Sequence, residues 1–239
     1  MPVNGKEKEP VTKPPVTRSR FQTWCREPFC GISHFVGALL SVAALITLVI
    51  VSHGRFWNTL ASIVYGVSLI FLYTSSALYH TLHVSEKVAN RLQRLDHIAI
   101  YLLILGSYVP LCLITLHNTL GWTLLGAVSA LAAIGICCSL FWKRAPAWVR
   151  VVLYLAMGWL VSLALRPLSA LLPHAAMSWL VAGGITYTVG AVIFATDWPH
   201  LVRGRFSAHD LWHIFVLGGS ICHFILILSF IIGNPVGVR

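Results

Sequence analysis

His209 and His213 stand four residues apart in the stretch His209-Asp210-Leu211-Trp212-His213. On a helix that spacing sets them about 40° and about 6 Å apart, one turn removed on a single face. Two imidazoles so placed suit one transition metal, as on metalloprotease helices with the same spacing. His80 is a third imidazole, and Ser76 lies one helical turn before it. Asp96 opens a separate apolar run. Three histidines with one position left open form the ligand set of a catalytic zinc site. Asp96 would orient an attacking water or take its proton, and Ser76 would hydrogen-bond that water or an oxyanion. An imidazole-rich site suits zinc, while iron and manganese remain alternatives.

Each residue also has a plainer reading. The histidine pair could simply meet water at an interface. Ser76, beside Thr74 and Ser75, could be a helix-packing serine. Asp96 could pair with Arg94 or cap a helix, where an aspartate is favoured anyway. Asp210 holds the place of the glutamate in the His-Glu-x-x-His pattern, but its side chain is shorter and suits a cap. His34 is a candidate for an outer position around the metal, and His83 is the most plausible substitute ligand. His223 lies about 15 Å along the helix from His213, too far for the same ion, and is expected to bond a neighbouring helix.

The elements that must position these residues are membrane spans. Only 10% of the 239 residues are charged and 57% are hydrophobic; a soluble domain of this size is nearer a quarter charged. Seven apolar runs approach the roughly 20 residues a span needs: Gly31 to Val51, Thr59 to Leu82, Asp96 to Leu116, Leu120 to Trp142, Trp148 to Leu165, Met177 to Thr196 and Asp210 to Ile232. The expected fold is an all-α integral membrane protein, a seven-helix bundle over residues 29–239. Residues 1–28 read as a basic, proline-containing cytoplasmic tail, largely disordered. Pro110 should kink the third run, and Gly183, Gly184, Gly190, Gly218 and Gly219 suit close helix packing.

The net charge of +10 resides in the tail and in short loops. That distribution points to anionic lipid headgroups and not to nucleic acid. With seven spans, fourteen basic residues fall on the side of the N-terminus and three on the other. The N-terminus is therefore expected to be cytoplasmic and the C-terminus extracytoplasmic. In that orientation Ser76, His80, Asp96, His209 and His213 all lie near the inner face. None of the six cysteines has Cys-x-x-Cys spacing, so a thiolate metal site is not expected and they read as small buried hydrophobes.

Taken in order, Ser76-x-x-x-His80, Ser85-Glu86-Lys87-Val88, Leu95-Asp96, Gly106-Ser107-Tyr108-Val109-Pro110 and His209-x-x-x-His213 with His223-Phe224 resemble the hemolysin III family. The same pattern relates that family to the progestin and adipoQ receptors. The resemblance runs from about Ile32 to Ile232. It implies seven helices, a cytoplasmic N-terminus, and a zinc ion near the inner leaflet of a bacterial plasma membrane. His80, His209 and His213 would be its ligands, with Asp96 holding the water and Ser76 close by. Three functions follow as expectations. One is a zinc-dependent hydrolase of a lipid amide or ester, of the ceramidase kind. The second is a receptor or sensor with structural zinc. The third is a pore-forming cytolytic protein, against which the scarcity of polar residues at mid-span argues.

Overall fold

The computed structural model describes residues 25–142, 146–199 and 206–233. Among the described residues seven helices are long and apolar enough to cross a membrane: α1 (Pro28–Ser52), α2 (Phe56–Thr81), α3 (Glu86–Thr115), α4 (Thr119–Phe141), α5 (Ala147–Leu171), α6 (His174–Thr196) and α7 (Ala208–Ile232). Inside hydrocarbon a backbone must satisfy its own polar groups, and helices do so within the segment. The closest packing is of α1 on α2, α6 on α7 and α2 on α3. α2 and α3 bury 61% and 56% of their most apolar windows, and the other five a third or less. Those two helices are thus the interior of the bundle. Ile50, Phe141 and Leu163 stay exposed on the outside, where lipid and not water is their natural neighbour.

Helix starts follow local chemistry. Pro28 occupies the first turn of α1, where its missing N–H costs nothing. Asn118 caps α4 by accepting from the Gly121 N–H at 3.1 Å. Ser207 and Asp210 form a reciprocal capping box at the start of α7, so Asp210 is a cap. α3 begins ten residues before the expected Asp96, because Glu86 through Leu95 continue as helix despite Lys87, Arg91 and Arg94. Hydropathy marks where lipid begins, not where a helix does, and this amphipathic lead-in has ordinary helix formers.

Two prolines leave visible marks. Next to Pro110 the helix widens into a π turn over Leu111–Thr115. α5 runs on past the expected end at Leu165 but tightens to a 3₁₀ stretch over Leu160–Ala164. Pro167 offers no N–H to the turn before it. The Tyr108 hydroxyl spans the irregularity, accepting from Val161 N–H and donating to Met157 O, both at 2.7 Å. The expected close approaches occur at Gly183, Gly190 and Gly219, where an added Cβ would lie 2.2, 2.6 and 2.7 Å from a neighbouring side chain; Gly184 faces open space.

The interior is not purely apolar. Ser220 Oγ meets the Tyr73 hydroxyl at 2.7 Å and the Tyr187 hydroxyl at 2.9 Å, and Tyr65 donates to Ser220 O at 3.4 Å. These polar groups satisfy one another inside the bundle, as buried groups must.

Candidate metal centre

At one end of the bundle the final turns of α2 meet the first turns of α1 and α7. His80, His209 and His213 come together there, ring centroids 4.7 to 5.1 Å apart. His213 Nε2 and His209 Nε2 are 3.1 Å from each other. Two nitrogens on one tetrahedral zinc, each about 2.0–2.1 Å from the ion, would be about 3.3 Å apart. The observed separation is close to that edge.

The pair arises as the sequence spacing requires, since the capping box fixes the first turn of α7 and with it the facing of residues 209 and 213. His80 arrives from the last turn of α2 and is 1% exposed. Its Nδ1 lies 2.6 Å from Glu27 Oε2. That hydrogen bond is the main cause that holds the Glu27 carboxyl at about 2 against the opposing effect of burial. An ionised carboxylate accepts, so Nδ1 carries the proton and Nε2 presents its lone pair. That Nε2 is buried with no hydrogen-bond partner. An orphaned imidazole nitrogen facing other imidazoles is costly unless something binds it, and a cation would. The residues thus fit a metal ion with one histidine already oriented by a carboxylate, a usual outer-shell arrangement.

A cysteine donor was not expected. Cys30, on the first turn of α1, places its sulfur with one nitrogen from each of the three histidines in a group whose atoms all lie within 4.8 Å. Cys30 is buried, as expected, but its thiol also donates to Asp210 Oδ1 at 3.1 Å and stands among the three histidines. The spacing rule detects two cysteines close in sequence, whereas here a single cysteine meets histidines of distant helices. Glu27 was likewise read as part of a tail, yet it is tied down: its N–H donates to His80 O at 2.9 Å. Both residues lie where the first span enters, at the end that holds the three histidines. Applying the same-depth argument to that entrance would have found them.

Ser76 and Asp96 line a cavity of about 40 Å³ together with His209, His213, His97 and Arg150. That is room for water molecules with polar neighbours. Asp96 makes no ion pair with Arg94 among the described residues. Its carboxyl faces the cavity with the Ser76 hydroxyl beside it. His34 stacks on His213 with ring centroids 3.9 Å apart and so borders the group. His83 is exposed in the α2–α3 connection and is not among the clustered donors. His223 packs against Gly183 and Tyr187, but contrary to expectation its Nε2 has no hydrogen-bond partner. It lies beside a larger apolar cavity of about 120 Å³, which shares Leu72, Ile100, Tyr154 and Trp212 with the smaller one.

Seven spans and a buried histidine–cysteine group at one end define a multi-pass membrane protein able to hold a metal ion. Residues 22–224 match the family model described as Haemolysin-III related, and the chain belongs to that family. It is 43% identical over 204 residues to "Hemolysin-3" of Bacillus cereus, covering 84% of this chain and 90% of the relative. It is 39% identical over 207 residues to "Hemolysin-3 homolog" of Bacillus subtilis (strain 168), covering 86% and 94%. A more distant similarity, 23% over 184 residues, is to human "Monocyte to macrophage differentiation factor", covering 75% and 74%. The spans and the bacterial relatives together make it an integral protein of a bacterial cell membrane.

Proposed function

We propose that this protein holds zinc through His80, His209 and His213 and hydrolyses an amide or ester bond of a membrane lipid, with ceramide-like molecules as the substrate class. The observation that carries the reading is that Asp96 and Ser76 share one small cavity with His209 and His213. Zinc would supply Lewis acidity toward the lipid carbonyl. Asp96 would orient the attacking water and accept its proton. Ser76 would donate to the oxygen on which negative charge develops, a role in which one placed donor is worth a few kcal/mol. Glu27 would keep His80 in its ligating tautomer. The adjoining apolar cavity offers space for part of a lipid chain.

The basic asymmetry of the loops supports a cytoplasmic N-terminus and an extracytoplasmic C-terminus, which puts the site at the inner membrane face, within reach of lipids entering from the bilayer. Lys143, Arg144, Arg203, Arg205, Arg239 and the basic residues of the tail up to Arg20 lie outside the described residues. Arg26, Lys87, Arg91, Arg94 and Arg150 are within them and would favour anionic headgroups at that face. A second reading is favoured by Cys30. Four protein donors can close a site, which suits structural zinc in a receptor or sensor.

The deciding experiment measures fatty-acid release from a panel of ceramides and lipid esters by purified, zinc-replete protein. Release that Asp96→Asn abolishes supports hydrolysis. No release from any lipid, with zinc bound, transfers the assignment to the structural reading.

A further inference from the structure

We propose that Cys30 is a fourth metal ligand, so that the resting centre is a closed tetrahedron of three imidazoles and one thiolate. This rests on the metal-binding half of the function proposed above and is independent of hydrolysis.

Three observations carry it. Cys30 is 1% exposed, and its sulfur shares the 4.8 Å group with a nitrogen of each histidine. His80 Nε2, equally buried, has no partner of its own. The first turn of α1 is also fixed in place. Arg26 N–H donates to Thr81 O at 3.3 Å and Glu27 N–H to His80 O at 2.9 Å. Gly31 permits this approach, because a Cβ there would lie 2.5 Å from Thr81 Oγ1. Cys30 is thus held against the end of α2 by backbone contacts. A Zn–S distance of about 2.3 Å and Zn–N distances of about 2.0–2.1 Å put tetrahedral donors about 3.3–3.6 Å apart. The observed spread, up to 4.8 Å, exceeds that by about 1.2–1.5 Å at most, which side-chain rotation can close.

The chemistry balances. The thiol loses its proton as the sulfur–metal bond forms, and the first acceptor is Asp210, whose Oδ1 lies 3.1 Å from Cys30 Sγ. The thiolate lowers the charge of the buried centre by one, which a low-dielectric setting favours. Cys25 is the other cysteine nearby, but its thiol points to His80 O at 3.8 Å. A closed resting centre also gives Asp210 a purpose beyond its cap. Were Cys30 to give up its place to water or a carbonyl, the proton held by Asp210 would return to its sulfur and restore the observed Cys30–Asp210 hydrogen bond.

The test uses the full chain in detergent, stripped of metal and loaded with Co²⁺. The wild type should bind one cobalt per chain and show the near-ultraviolet charge-transfer band of a thiolate–cobalt bond with intense visible bands of a four-coordinate ion. Cys30→Ser should lose the near-ultraviolet band and keep the cobalt. X-ray absorption at the zinc edge of the wild type should resolve one sulfur at about 2.3 Å beside nitrogens, which keeps the test sound if the variant folds poorly. Cobalt bound by the wild type with no charge-transfer band, or a zinc shell of nitrogen and oxygen only, overturns the cysteine ligand and leaves the three-histidine site standing. No metal bound at all overturns both.

Discussion

Glu27 Oε2 and His80 Nδ1 are 2.6 Å apart across 53 residues of chain. This contact ties the segment entering α1 to the last turn of α2 and fixes which imidazole nitrogen faces His209 and His213. The centre is therefore built from three helices, and its orientation depends on a carboxylate that does not itself join the donor group. Glu27→Gln keeps the size and one acceptor but loses the charge. Metal affinity, measured by chelator competition, should fall about 10- to 100-fold, with the fold retained.

Asp96 and Ser76 contribute no atom to the clustered donors, so their loss should separate chemistry from binding. Asp96→Asn should retain zinc and lose lipid hydrolysis. Ser76→Ala should retain zinc and lower turnover by about 10²-fold, the typical effect of removing one oxyanion donor. Fatty-acid release and metal content measured on the same preparations check both.

Much of this site was legible because its residues obey a rule of depth. The 209/213 spacing places both imidazoles on one helix face. The alternation of spans brings His80 and Asp96 to the same end, and the structure assembles the three histidines there. Cys30 and Glu27 were not legible from local pattern. Each is a single residue without a spaced companion, and in the sequence only its depth at the entrance of α1 points to the site. The early start of α3 was hidden for a different reason: Lys87, Arg91 and Arg94 lower hydropathy without lowering helix propensity. The missing partner of His223 is a property of packing around Gly183, which no spacing reveals.

The interior contact of α2 with α3 depends on Gly106. A Cβ there would lie 2.3 Å from Ser68 Oγ and 2.8 Å from Ser68 Cβ. Ser68 Oγ already donates to Tyr65 O at 2.6 Å, so it yields poorly. Gly106→Ala should destabilise the protein by about 1–3 kcal/mol, read as a lower melting temperature in detergent. An unchanged melting temperature would show that the helices separate without cost.

Orientation has its own test. A reporter fused after Arg239 should read as extracytoplasmic, and one inserted at Arg203 as cytoplasmic. Both on one side would remove the placement of the site at the inner face.

The central claim is that His80, His209 and His213 hold one metal ion, and elemental analysis of purified protein tests it most directly. The wild type should carry about one zinc per chain, as a mononuclear site of this kind does. His80→Ala and the double change His209→Ala with His213→Ala should each empty it, with lower thermal stability because bound metal favours the folded state. His223→Ala, which alters a residue outside the donor group, should leave zinc in place. Full zinc occupancy in the double variant, or a folded wild type that takes up no metal, would contradict the account.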